Sequence, residues 1–279
     1  GALPATGVAG SVVNILPFSR LTVNSSTNTT FNGGILGPLA SFVKDGPSVL
    51  ELGAAANTQS STTISGGTIL AHNAASLGTG EVSIASGANY LAWFNTGTPL
   101  IRNNFTLNGA DGNPGDGLKN AIYADGGGAG YSEYILTGSV TLAAASNISG
   151  NNVNNQRVLG QITGPGGLTK GSGRPDENST LILSNPTNDN PVNTVITNGT
   201  VKLGTSQVIP DGAGKGIVVI GAGTTLDLAG NNETINNLSG LGSIVSNPAV
   251  IIGAPVFFTT NVESGISNTK TYTHFLDFG

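Results

Sequence analysis

Apolar residues along this chain come in runs of three to six, interleaved with Thr and Ser and fenced by Gly, Asn, Asp or Pro. The pattern is clearest from Ile162 to Val245. There Ser179–Ser184, Thr194–Ile196, Gly199–Leu203, Gly216–Ile220 and Thr224–Leu228 each read as a short strand followed by turn-forming residues. Short β-branched runs at that spacing predict strand after turn after strand, and they leave no stretch of 3.6-residue period long enough for a helix. The rest of the chain reads the same way. Ser11–Leu16 and Arg20–Val23 predict two strands parted by Pro17, and Tyr134–Leu136 and Val140–Leu142 predict two more. At the C-terminus, Tyr272, His274, Leu276 and Phe278 line one face of an alternating strand that also carries Phe275.

A second version of the pattern begins at Ile35. Ile35-Leu36-Gly37-Pro38 matches Ile162-Thr163-Gly164-Pro165, and Lys44 falls where Lys170 does. Ser48–Leu52 matches Ser179–Leu183, Ile64–Ile69 matches Ile196–Val201, and Gly80–Gly87 matches Gly216–Gly223. The offset drifts only from about 127 to 136 residues, which small turn insertions explain. Tandem repeats of strand and turn are the signature of a stacked architecture.

Nothing fills the helix role of a doubly wound sheet. A β-sandwich is the alternative, but it needs Greek-key connections and two protected edges. A solenoid stacks each coil on the last, so that most strands pair above and below. The expectation is therefore an all-β fold, a parallel β-helix (β-solenoid) of roughly 10 to 12 coils, each adding about 4.8 Å along the axis. It is expected to run as one continuous unit over residues 1–279. N-terminal coils take 1–34, the first repeat copy 35–109, connecting coils with loop insertions 110–161, the second copy 162–245, and aromatic strands 246–279.

Gly164-Pro165-Gly166-Gly167-Leu168-Thr169-Lys170, Leu181-Ile182-Leu183-Ser184 and Asn198-Gly199-Thr200-Val201-Lys202-Leu203 follow one another in the second copy. Gly223-Thr224-Thr225-Leu226-Asp227-Leu228 and Leu238-Ser239-Gly240-Leu241-Gly242 continue it. This order resembles the autotransporter-associated β-strand repeat, closely over about 85 residues and loosely over residues 35–109. The resemblance implies a right-handed β-helix that is secreted by a bacterium and displayed on, or shed from, its surface. It brings no catalytic residues with it.

Composition narrows the function. Charged residues make up 9% of the chain and hydrophobic ones 38%, with 43 Gly, so the surface is built of Thr, Ser, Asn and Gly on a folded, not disordered, chain. A net charge of -5 argues against nucleic acid, which demands a basic face. Cys is absent, which removes disulfides, thiolate metal sites and thiol nucleophiles and suits an oxidising exterior. Met is absent even at residue 1, so a processed or excised segment is expected. No apolar run approaches the roughly 18 residues that span a bilayer.

Candidate chemistry is sparse. Asp111, Asn113 and Asp116 before Gly117 resemble part of a calcium loop, but the full spacing and closing Glu are absent, and an Asx-rich turn accounts for them. A polysaccharide-cleaving solenoid needs paired carboxylates from adjacent coils, and only Asp111 to Glu133 concentrates acids. His72 and His274 show no metal spacing and no acidic neighbour in sequence. No catalytic activity and no cofactor are expected. Tyr90, Trp93 and Phe94 are a candidate glycan patch, with packing in a coil corner as the competing reading. The ends are more informative. Val12, Val13, Ile15 and Leu16 at one end and Tyr272, His274, Phe275, Leu276 and Phe278 at the other are apolar strands with almost no charge to block further stacking. The expected function is a structural subunit of an extracellular fibre or surface layer, a homo-oligomer assembling head to tail, with a glycan-binding adhesin as the alternative.

Overall fold

The computed structural model describes residues 11–53, 56–94, 98–109, 120–125, 133–151, 155–171, 178–246 and 258–260. These form an all-β solenoid in which every strand pair is parallel and no helix occurs. The chain winds past three faces in turn. The first face stacks seven strands, from Arg20–Asn24 to Ile162–Thr163. The second stacks ten, from Thr29–Phe31 to Leu238–Gly240. The third stacks seven, from Leu100–Ile101 to Ser243–Val245, and is preceded at the same position in the winding by the pair Val12–Asn14 and Gly34–Leu36. Glu233–Ile235 and Phe258–Thr260 pair on the first face above its main stack. Ten strands on the longest face make about nine turns among the described residues, just below the 10 to 12 expected from sequence.

The alternation seen in the sequence becomes ladders of like residues. On the first face Phe42, Thr62, Val82, Phe105, Val140 and Ile162 stack inward, each in register with the next strand's equivalent. On the second face the inward column runs Leu50, Ile69, Tyr90, Ile122, Ile148, Lys170, Ile196 and Ile220. Nearly all of these are buried in one continuous core. Outward positions on the first face are Thr22, Val43, Thr63, Ser83, Thr106, Thr141 and Thr163, half-buried or exposed, as period-2 patterning requires.

Alternation fails most fully at one place, for a physical reason. Ala88–Trp93 and Ile122–Asp125 are almost wholly buried on both sides. Their outward residues Leu91 and Tyr123 pack with Leu70 and Trp93 into a second small cluster outside the solenoid wall. A strand covered on both faces reads as a continuous apolar run, and Tyr90-Leu91-Ala92-Trp93 is one.

Where a turn lacks a strand, side-chain amides complete the ladder. Between Gly34–Leu36 and Leu100–Ile101 the third face is irregular, and there Asn57 takes the Ile35 N–H at 2.7 Å and donates to the Ser76 carbonyl at 2.7 Å. On the first face above Ile162, Asn188 accepts from Ile162 N–H at 2.8 Å and donates to the Val208 carbonyl at 2.8 Å. An unpaired buried backbone group costs on the order of 1–3 kcal/mol, so these amides hold the stack closed.

Candidate functional site

The residues expected to form an assembly surface divide. Val12 and Leu16 are 50% and 72% exposed, while Ile15 lies in the core and Val13 packs against it. Ile15 is therefore a packing residue, because its N–H bonds back to the Leu36 carbonyl and turns its side chain inward. Two residues that sequence reasoning passed over complete the N-terminal patch. Phe18 is 88% exposed and Leu39, one turn above it, 59%. The Phe18 N–H donates to the Leu39 carbonyl at 2.9 Å, and both residues sit at positive φ, 62° and 67°. Bulky residues enter that region at a cost of about 1–2 kcal/mol each. Strained backbone thus holds two large apolar side chains out into solvent at one corner. At the opposite end Leu241 is 85% exposed, at the corner between the second and third faces. Tyr272, His274, Phe275, Leu276 and Phe278 lie outside the described residues.

The aromatic trio is not a surface patch. Tyr90 occupies the inward column of the second face and stacks on Phe105 at 5.9 Å between ring centroids. Phe94 is buried and stacks on Tyr134 at 5.2 Å. Trp93 alone of the three is half-exposed, and it packs on the Leu91–Tyr123 cluster. Coil packing is the outcome for Tyr90 and Phe94, because strand parity sends both inward.

Charged groups are used structurally. His72, without an acidic neighbour in sequence, stands 2.8 Å from Glu51 one turn below, and Glu51 in turn accepts from Thr30 at 2.8 Å. Arg157 bridges Glu133 at 3.0 Å and Ser184 at 3.1 Å on the third face. Glu133, one of the acids of the cleavage reading, is thereby engaged by a cation. Asp111, Asn113 and Asp116 fall outside the described residues, and no group of three His, Cys, Asp or Glu among the described ones is placed to hold a metal.

Four Lys, Asp and Glu side chains are buried among the described residues, including Asp227, which accepts the Ala229 N–H at 2.9 Å. Lys44 points into the core and donates to the carbonyls of Asp45, Gly46 and Gly66 at 2.7, 2.8 and 3.1 Å. Burial pulls its ammonium down to about 8, against the opposing pull of the Asp45 carboxylate. Lys170 is equally enclosed and donates to Ser149 Oγ at 3.1 Å and the Asn198 carbonyl at 3.2 Å. Glu233, 2% exposed, accepts the N–H groups of Val208 and Ile209 at 3.0 and 3.1 Å where the first face lacks a strand. Burial pushes its carboxyl up to about 7, with the Asp211 charge adding to the rise and the backbone donors opposing it.

A shallow pocket of about 140 Å³ is lined by Lys215, Ile217, Asn236 and Asn237. Its lysine is already paired with Asp189, and its Asn236 is tied to Gly212 and Lys215. Among the described residues no helix is long and apolar enough to cross a membrane. No family model matches the chain, and no curated protein and no solved structure matches it either.

Proposed function

We propose that the protein is a structural β-solenoid module that assembles head to tail into an extracellular fibre or surface layer. The observation that carries this reading is the pair of open edges. Among the described residues, Val12–Asn14, Arg20–Asn24 and Thr29–Phe31 at one end and Leu238–Gly240 and Ser243–Val245 at the other are paired on one side only. Of the residues in those five strands, Arg20 alone is charged. A strand edge with free N–H and C=O groups and no charge to block it is a template for another strand. Joining one end to a different end is a heterologous contact that does not close, so it propagates as a filament. The strained, exposed Phe18 and Leu39 beside one edge and Leu241 beside the other give the contact an apolar component.

Electron microscopy of the purified full chain tests this. Rods joined end to end, with an axial repeat of about 50 Å from ten to eleven turns at the strand spacing, are expected. Monodisperse single rods at high protein concentration would overturn the reading.

A further inference from the structure

The two repeat segments are alike in bonding as well as in sequence. Lys44 pairs in register with Ile64, and Ile64 with Ile84. Lys170 pairs likewise with Ile196, and Ile196 with Ile220. Leu50 faces Ile69 as Leu181 faces Val201. The corner lysines reach matching carbonyls, Gly66 at 3.1 Å and Asn198 at 3.2 Å. Asn57 takes the Ile35 N–H as Asn188 takes that of Ile162. Even the left-handed glycines agree, φ 65° at Gly67 against 66° at Gly199 and 76° at Gly87 against 75° at Gly223.

The equivalent elements do not lie on the same face. Lys44 is on the first face and Lys170 on the second; Leu50 is on the second and Leu181 on the third. Every matched element has moved on by one face. Along the first face, the strand of Lys44 is followed by Ser61–Ile64, Glu81–Ile84, Phe105–Leu107, Val140–Leu142 and Ile162–Thr163, five turns up, and Lys170 lies one face beyond the last. The copies are therefore related by a screw of five and one-third turns.

We infer that a second copy of this chain docks by repeating the same screw, which deepens, and rests on, the head-to-tail reading above. Applied once more from Lys170, the screw carries the next chain's Lys44 to the third face, five and one-third turns higher. Its Arg20–Asn24, one turn below its Lys44, then lands directly above Ser243–Val245, which is three and one-third turns above Lys170. Its Val12–Asn14 lands above Leu238–Gly240, and its Thr29–Phe31 above Phe258–Thr260. Among the described residues, each of the three incoming strands lies one turn above the last strand on its face.

The same placement brings the corner of Leu16 and Phe18 one turn above the corner of Leu241. A column of exposed apolar residues results, Leu241 of one chain beneath Phe18 and Leu39 of the next, and each covers the other. Docking in phase, with each face continuing itself, would instead set Asn32 of the incoming chain above Leu241.

The absence of Cys makes the test direct. Neighbouring strands are about 4.8 Å apart, within reach of a disulfide or a short bis-maleimide. In assembled full-length protein, the double variant Phe18→Cys/Leu241→Cys is expected to give a covalent ladder of multimers, and Asn32→Cys/Leu241→Cys none. Helical reconstruction of the filament should give a twist of two-thirds of a turn per chain. Filaments that cross-link through position 32, or show no twist between chains, overturn the shared screw while leaving head-to-tail assembly standing. A protein that forms neither filaments nor cross-links overturns both.

Discussion

Glu233 and Lys44, buried towards opposite ends of the stack, are expected to give the solenoid an inverted pH profile. The carboxyl of Glu233 is raised from 4.5 to about 7, so the folded state holds a proton that the unfolded state has released. Stability from this group is complete below pH 4.5 and is lost as pH rises through 7. At about 1.4 kcal/mol per pH unit of separation, the loss is about 3 kcal/mol. Lys44 acts in the other direction. Its ammonium is lowered from 10.5 to about 8, so between those values the unfolded chain binds the extra proton and stability rises with pH. The gain is of similar order. Most proteins are most stable between roughly pH 5 and 8; here stability is expected to pass through a minimum near pH 7 to 8. A repeat array opens piecewise, so a local probe is better than a single melting curve. Amide-exchange protection, corrected for intrinsic rate, should fall at Val208 and Ile209 between pH 5 and 8 and recover at Gly46 and Gly66 between pH 8 and 10. Glu233→Gln should abolish the first change alone, and Lys44→Met the second alone. A protection maximum near neutrality, or an acid arm that persists in Glu233→Gln, would refute the assignment of these groups.

Packing and backbone predictions follow from the ladders. Ile196→Ala, in the inward column of the second face, should destabilise by about 2–5 kcal/mol in urea unfolding, whereas Thr141→Ala on the outward column of the first should stay within about 0.5 kcal/mol; equal effects would mean that the column is not a core. Gly67→Ala sets a Cβ 2.3 Å from the Ser48 carbonyl at φ 65°, and Gly212→Ala meets nothing within 4 Å at φ 92°. Both bear the left-handed penalty of about 1–2 kcal/mol, so Gly67→Ala should cost clearly more, and denaturation midpoints that coincide would contradict the close approach of neighbouring turns.

The strands were legible because alternation and turn residues are local signals. The doubly covered second-face strands were not read as such, although Tyr90-Leu91-Ala92-Trp93 is an apolar run without alternation. What escaped depended on the length of a turn. Glu51 and His72 lie 21 residues apart and become neighbours only because that is one circuit of the solenoid. Tyr90 could be read as a glycan patch or as coil packing until its register with Ile69 and Ile122 fixed its parity. Phe18 and Leu39 carry no sequence signal at all, since left-handed backbone is expected of Gly or Asn and not of large apolar residues. Glu233, in Asn231-Asn232-Glu233-Thr234, reads as an ordinary surface acid; the missing strand beneath it makes it a buried acceptor.

Those buried polar groups share a logic. A solenoid face with a strand in every turn satisfies its own backbone, and its wall needs only inward apolar and outward hydroxyl residues. A turn that skips a strand leaves N–H and C=O groups facing its neighbours with no partner. Asn57 and Asn188 resolve this with one amide each, accepting from the turn below and donating to the turn above, as a strand residue does. Glu233 supplies two acceptors where two adjacent N–H groups are left, and Lys44 supplies three donors where a corner turns three carbonyls inward. The number and sign of the side-chain groups follow the number and sign of the orphaned backbone groups. Irregular turns are therefore the places where this wall is chemically specified. That Asn57 and Asn188, and Lys44 and Lys170, reappear one face apart ties the repeat to the backbone's own needs, and it explains how a copy can rotate about the axis without loss of closure.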